Sequence, residues 1–311
     1  MFCMNNKVLI IGFGSIGQRH ACVLESIGCK VSILSQHTGI CKYPVFKSLN
    51  IALEQTPDYV VIANETEKHY ETLSLLTRLG YQGKIFVEKP LFHSVDLDID
   101  NLKNIVSQVY VGYVMRFHPL IQQAKEWLKG QAIYSINAYC GQYLPEWRPN
   151  SDYRKSYSAK NLGGGVVNDL SHELDYLQFL AGEWNSVVSI GGHITNLEIE
   201  SEDIVSFLLT TKRCKNIVCQ LNYWDKNTQR FCIINAEKGT CTMDFISNTL
   251  TINKNISHYP QERNQMFSEM HKKILKGEGD LCIFEDALSV VRLINTIRES
   301  RIKNIWIKNS K

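Results

Sequence analysis

The sequence predicts an α/β N-terminal part built on a doubly wound parallel sheet, followed by an α+β part with a mainly antiparallel sheet. Three observations carry that expectation. Short Val- and Ile-rich runs alternate with helical stretches over the first third of the chain, a glycine-rich turn follows the first run, and longer, polar-alternating runs begin at about residue 131.

VLII (8–11), VSIL (31–34), YVVIA (59–63) and KIFVE (84–88) read as strands buried on both faces. Between them QRHACVLESIG (18–28) and HYETLSLLTRLG (69–80) read as helices, the second with Leu73, Leu76 and Leu79 about a turn apart and Gly80 as its stop. That alternation builds a parallel sheet through right-handed crossovers. After VYVGYVM (109–115) the rhythm changes. IYSINAYCGQ, SVVSIGGHIT, IVSFLLTTK, NIVCQLNYW, RFCIINAEKGTCTMDF and LTINK are strands of the second part, and INAEKGTCTMDF with its Lys-Gly turn is a hairpin. EDALSVVRLINTIRESRI (285–302) is the closing helix, with Leu288, Val291, Ile294 and Ile297 at helical spacing. The boundary falls near residues 115 to 120, giving domains 1–117 and 118–311.

A chain of 311 residues suits two domains with full cores, and 44% hydrophobic and 21% charged residues place it among ordinary globular proteins. A net charge of +3 with no basic run leaves nucleic acid and membrane surfaces without an electrostatic footprint, so the expected partner is a small molecule. The N-terminus MFCMNNK lacks a leader pattern, and no apolar run approaches the roughly 18 residues of a membrane span, so the chain is expected in the cytoplasm. Ten cysteines spread singly, Cys3 and Cys41 among them, suggest reduced, mostly buried thiols rather than a zinc site or a disulfide framework.

VLIIGFGSIGQRH matches G-x-G-x-x-G at Gly12, Gly14 and Gly17, after a strand and opening a helix. Gly12 permits the tight turn, Gly14 lets the backbone approach a pyrophosphate, and Gly17 lets helix and strand pack closely. With Ser15 and Ile16 at the helix start, the motif is expected to bind the phosphates of NAD(P), a glycine-rich turn without a ligand being the other reading. The second strand ends in Ser35-Gln36-His37, without the carboxylate that usually selects NAD and without the arginine that usually marks NADP; the absence of an acid leans the reading to NADP. A solvated loop at these three residues stays an open alternative.

FVEKP (86–90) places Lys89 at the carboxyl end of a strand, where open α/β sheets bind ligands, with Pro90 fixing the turn; a surface lysine before a turn is the other reading. GGGVVNDLSHELDYL (163–177) runs from three glycines into a helix on which Asp169, His172 and Tyr176 share one sector, while Leu170, Leu174 and Leu177 form an apolar stripe. Hydride transfer at a carbinol needs a group for the hydroxyl proton, and histidine titrates in the right range. Asp169 would orient the imidazole, Lys89 would share the proton or polarise the oxygen, and the glycines would leave room for substrate. The open alternative is that Asp169 and Asp175 are acids favoured by the helix dipole and His172 is a satisfied polar residue.

The order GFGSIGQRH, then EKP, then GGG followed by Asp and His in a helix, resembles the Gfo/Idh/MocA oxidoreductases over nearly the whole chain. The resemblance implies a Rossmann domain followed by a domain with a large open sheet that often forms a dimer or tetramer interface, and NAD(P)-dependent oxidation or reduction of a sugar or cyclitol hydroxyl. It implies the catalytic roles for Lys89, His172 and Asp169, and cofactor contacts from Asn64, Glu65, His69, Glu88 and Lys89. Two departures are visible: acid and histidine are three residues apart rather than four, and Asn64-Glu65 replaces Thr-Pro. YCGQYLPEWRPNSDYRKSYS (139–158) supplies Trp147, Arg148, Tyr153 and Arg154, and GYVMRFHP supplies Arg116 and His118. Rings stack on sugar faces and guanidinium forks bind acidic groups, and the segment is similar to the branch of the family associated with surface-polysaccharide and nonulosonic acid synthesis, which implies an acidic or nucleotide-linked sugar. Pinning of a long loop is the other reading of these residues. An imine or pyrrole-type reductase on the same fold, and a non-catalytic dinucleotide sensor, are the alternative functions.

Overall fold

The computed structural model describes residues 5–37, 39, 42–148, 151–161 and 163–309. Cys3, Cys41, the first four residues and residues 149 and 150 of the aromatic segment lie outside them. The chain divides into two compact units, one of residues up to Phe117 with Glu262–Leu288, the other of His118–Gln261 with the residues from Ser289 onward.

The first unit is built on β1 (Lys7–Ile11), α1 (Ser15–Ser26), β2 (Lys30–Leu34), β3 (Val45–Phe46), α2 (Leu49–Leu53), β4 (Tyr59–Ile62), α3 (His69–Arg78), β5 (Lys84–Val87) and β6 (Val109–Val111). The six strands form one parallel sheet in the order β3-β2-β1-β4-β5-β6. The order reverses between β1 and β4, and at that switch the carboxyl ends of the strands open a crevice. All four residues of β4 are buried, as its apolar run requires. Leu73 and Leu76 of α3 are buried, whereas Leu79 is 40% exposed because the helix ends at Arg78 and Gly80 turns the chain away.

The second unit begins with α4 (Pro119–Trp127) and β7 (Ile133–Gly141), and continues through α5 (Val166–Asp169), α6 (His172–Ala181), β8 (Trp184–Gly192), β9 (Ile204–Thr211), β10 (Ile217–Asn222), β11 (Gln229–Ala236), β12 (Gly239–Asp244), β13 (Thr249–Ile252) and β14 (Asn255–His258); α7 (Gln265–Lys276) belongs to the first unit, α8 (Phe284–Lys303) starts there and runs into the second, and β15 (Ile307–Lys308) ends the second. Its nine strands run in the order β14-β13-β12-β11-β7-β10-β9-β8-β15, antiparallel throughout except for the β7–β10 pair. The expected hairpin is β11–β12, closed from Ala236 to Gly239. Alternation buries Ile136, Ala138 and Cys140 of β7 on one face, against helices, and leaves Val218 and Leu208 of the neighbouring strands on the other.

Two features depart from the periodicity reading. The helix expected from the glycines onward is two helices, α5 ending at Asp169 and α6 starting at His172, with Leu170 and Ser171 as the break. The break takes Asp169 off the helix that carries His172 and Tyr176, and Tyr176 lies in the core with no exposure rather than on an open sector. The segment 262–288, which the sequence places with the C-terminal part, packs in the first unit instead. Phe267, Met270 and Ile274 of α7 join Val8, Ala21, Leu24 and Tyr59 in one core. Burial of each such side chain contributes on the order of 2 kcal/mol, enough to return a distant segment to this sheet.

Candidate active site

Each unit carries one group of functional side chains. In the first, Gly12 has φ +95°, and a Cβ there would lie 2.7 Å from Ala63 O and Asn64 N; a Cβ on Gly17 would lie 2.3 Å from Gly12 O. These two glycines are demanded by the protein's own backbone. Gly14 is different, because a Cβ on it would meet nothing within 4 Å and its φ of −71° suits any residue. The open space above Gly14 is what a pyrophosphate would fill. The first turn of α1 carries no acid and no side-chain cap, so its N–H groups stay directed at that space. Asn64 donates to Thr72 Oγ1 (3.0 Å), yet its buried Oδ1 has no hydrogen-bond partner among the described residues. An open cradle, an uncapped helix start and an orphaned buried acceptor at the ends of adjacent strands together fit a dinucleotide.

Past β2, Ser35 Oγ accepts the His37 N–H (3.1 Å) and Gln36 donates to Lys47 O (3.0 Å). Lys47 Nζ donates to the carbonyls of Ser35 (2.9 Å) and His37 (3.0 Å). The sequence reading missed Lys47, since it reaches this loop from the end of β3 rather than from β2. Glu65 pairs with Lys68 at 3.1 Å. His69 is buried, its Nδ1 facing the carbonyls of Pro90 (3.1 Å) and Leu91 (3.2 Å) and its Nε2 that of Asn64 (3.3 Å), so it ties the end of β4 to the lysine turn. Burial pulls its pKa below the ordinary value. Lys89 is part-exposed after β5, and its peptide to Pro90 is cis. Glu88 faces His20 Nε2 at 2.8 Å. Burial raises the Glu88 pKa, but the hydrogen bonds from His20 and from the Lys89 N–H, with the Lys89 ammonium, outweigh it and hold the carboxyl below the usual range.

In the second unit Asp169 ends α5, 7% exposed, and Tyr223 Oη donates to its Oδ2 at 2.6 Å. Tyr157 hydrogen-bonds the same carboxylate; burial of its hydroxyl and then that charge raise its pKa, although the ring is about half exposed. The Trp147 ring stands edge-on to Tyr223 (5.2 Å, 89°), and the Arg148 guanidinium lies 5.4 Å from the Tyr157 ring centre. Trp147 Nε1 is buried without a hydrogen-bond partner among the described residues. His172, part-exposed, opens α6 three residues beyond Asp169. Trp147, Arg148, Asp169 and His172 therefore belong to one neighbourhood, and the two phenols that organise it carry no motif from which sequence could have singled them out.

The other expected substrate contacts are engaged within the fold. Arg154 pairs with Asp152 (2.8 Å) and Glu198 (3.1 Å), and Tyr153 Oη accepts the Glu198 N–H (3.3 Å), so these two pin their loop. Arg116, 4% exposed, pairs with Asp286 at 2.9 Å and donates to Leu281 O at 3.0 Å, both inside the first unit. His118 caps α4 by accepting the Leu120 N–H (3.2 Å) and stands edge-on to Phe245. The glycines before Asp169 are also occupied by protein. A Cβ on Gly164 would lie 2.3 Å from Tyr157 O, and one on Gly165, at φ +92°, would lie 2.4 Å from Glu202 Oε1, which Arg298 holds at 2.6 Å. The room expected for substrate beside them is filled by backbone and Glu202.

Residues 6–113 match the model of the oxidoreductase family with an NAD-binding Rossmann fold, and residues 121–242 match that of the GFO/IDH/MocA C-terminal domain. The chain belongs to the Gfo/Idh/MocA family. Among family members, the levoglucosan dehydrogenase of Pseudarthrobacter phenanthrenivorans is 28% identical over 142 residues, 43% of this chain and 36% of that protein, so the match spans just over a third of that relative's length. In fold, the chain superposes on a levoglucosan dehydrogenase in complex with NADH with a TM-score of 0.85 at 16% identity, covering 99% of this chain and 100% of that one. The WlbA dehydrogenase from Bordetella pertussis, in complex with NADH and UDP-GlcNAcA, gives a TM-score of 0.79 at 18% identity over 99% of this chain and 98% of that one. No described helix is long and apolar enough to cross a membrane.

Proposed function

We propose that this Gfo/Idh/MocA protein is an NAD(P)-dependent dehydrogenase that moves a hydride between nicotinamide and a carbinol carbon of a sugar derivative, nucleotide-linked or acidic. The observation that carries the proposal is the Asp169 carboxylate, buried under two phenols and ending the turn before His172. When bound, the nicotinamide supplies the hydride chemistry. Gly12, Gly14, Gly17 and the first turn of α1, with Ser15 and Ile16, hold the pyrophosphate. His172 takes or returns the hydroxyl proton, Asp169 orients it, and Lys89 relays the proton or stabilises the developing alkoxide. Trp147 and Arg148 receive the sugar face and its acidic group. The names borne by relatives, a levoglucosan dehydrogenase and a dehydrogenase holding UDP-GlcNAcA, support a sugar substrate.

The cofactor reading leans to NADP, because no carboxylate ends β2 and the Lys47 ammonium sits on the Ser35–His37 loop. The free thiols suit a reducing, cytoplasmic setting, since all eight described cysteines are unbonded. A dimer or tetramer forms through the open face of the second sheet, where Ile190 is 68% exposed, Leu208 44% and Val218 40%.

The test is Lys89→Met, assayed against a panel of sugar nucleotides and titrated with NADH and NADPH by tryptophan-to-nicotinamide energy transfer. Turnover should fall by at least about a hundredfold with nucleotide affinity kept. Loss of nucleotide affinity would make Lys89 a cofactor contact, and nucleotide binding without turnover of any panel member by the unaltered protein would favour the sensor.

A further inference from the structure

Four side chains of the first unit form a hydrogen-bonded row that ends at the lysine turn. Tyr59 Oη lies 2.9 Å from His271 Nδ1, His271 Nε2 lies 2.8 Å from His20 Nδ1, and His20 Nε2 lies 2.8 Å from Glu88 Oε1. The second carboxylate oxygen, Glu88 Oε2, accepts the backbone N–H of Lys89 at 3.1 Å. Tyr59, His20 and His271 have no exposure, and the rings of Phe86 and Phe267 wall the two imidazoles. Water therefore does not reach these groups, and each donor must find its acceptor within the row.

That requirement fixes the protons. Among the described residues the only hydrogen-bond partner of the Tyr59 hydroxyl is His271 Nδ1, so the phenol donates to it. His271 then carries its proton on Nε2 and donates to His20 Nδ1, and His20 carries its own on Nε2 and donates to Glu88. Any other assignment strands a buried phenol proton or sets two N–H groups against each other. Both imidazoles are accordingly neutral, in agreement with the burial that draws the His271 pKa well down. The row is polar in one direction, and both Glu88 oxygens are committed.

We propose that His271 is a positioning residue of the lysine half-site: through His20 it fixes the Glu88 carboxylate, and Glu88 fixes the backbone from which Lys89 projects. The inference rests on the role given to Lys89 above. It gives the returning segment 262–288 a part in the chemistry, because α7 delivers the imidazole that completes the row.

The experiment uses the full chain with His271→Phe and, because that change sits in the core, Glu88→Gln as a second variant. Lys89 acetylation by acetic anhydride at fixed pH is followed by mass spectrometry, with exposed Lys30 and Lys103 as internal references. Histidine-selective nitrogen-15 spectra report the tautomers. Both imidazoles should be neutral with Nε2 protonated in the unaltered protein, and both variants should change the Lys89 labelling rate about threefold relative to the reference lysines, because the backbone that carries it is released. On any panel member that is turned over, kcat should fall about tenfold with KM little changed, and the double variant should be no worse than either single one. Unchanged Lys89 labelling in folded variants, a protonated Nδ1 on either histidine, or an unaltered kcat overturns the proposal. A panel with no turnover overturns the dehydrogenase reading instead, and leaves labelling and spectra to decide the row.

Discussion

Tyr223 Oη lies 2.6 Å from Asp169 Oδ2, with the phenol wholly buried and the Trp147 ring edge-on against it. One contact thus links the carboxylate before His172 to the aromatic segment. Tyr223→Phe keeps the ring packing and removes one donor from a charged acceptor, which should lower stability by about 1.5–3 kcal/mol. Urea unfolding measures it. Turnover should fall while NADH titration is unchanged; an unaltered unfolding midpoint would mean that Asp169 does not depend on this phenol.

Gly14 and Gly165 should separate ligand room from packing. Gly14→Ala meets no protein atom and should leave thermal stability intact while weakening NADH binding about tenfold. Gly165→Ala, at φ +92° and against Glu202, should cost about 1–3 kcal/mol of stability and disturb the Arg298 pair. Equal effects of the two changes on nucleotide affinity would contradict the assignment of the cradle.

Lys47 gives the cofactor preference a second handle. Lys47→Ala should reduce the NADPH to NADH affinity ratio about tenfold, through loss of a cation beside the 2′-phosphate. Tighter NADH than NADPH binding by the unaltered protein would remove the basis of that expectation.

The pKa of His118 is drawn down to about 4 by burial and by the charge of Arg230, against the hydrogen bond of Asn248. Its folded value lies below its unfolded one, so the unfolded chain takes the proton first as pH falls. Stability from this residue is full above about pH 6.5, declines between there and about pH 4, and amounts to at most about 3 kcal/mol. His118→Asn keeps a capping side chain for α4 and cannot titrate, so its stability should vary less across that window. Parallel pH curves for the two proteins would rule the effect out.

The strands of the first sheet, the glycine turn and the β11–β12 hairpin were legible because each is a local pattern: apolar runs, one motif, one turn. What escaped the sequence depends on distant atoms. The break at Leu170–Ser171 interrupts a stretch whose spacing suits one helix, and Gly164 and Gly165 look like open space until Glu202 and the carbonyls of residues 157 to 160 arrive. Arg116 looks like a free guanidinium until Asp286, far along the chain, meets it. Tyr157 sits in the aromatic segment with nothing to mark it out from its neighbours, Tyr223 and Lys47 lie outside any motif, and only the fold gathers them around Asp169 and Ser35.

The parallel β7–β10 pair has a consequence for biogenesis. Ile136 of β7 is matched to Ile217 of β10, so the central strand of the second sheet emerges from the ribosome and waits about 80 residues for its parallel neighbour. The nucleotide-binding unit waits longer still, since α7 closes its core only after that sheet has been translated. Neither half can mature before nearly the whole chain is made, and nascent chains stalled before α7 should be the species that chaperones retain.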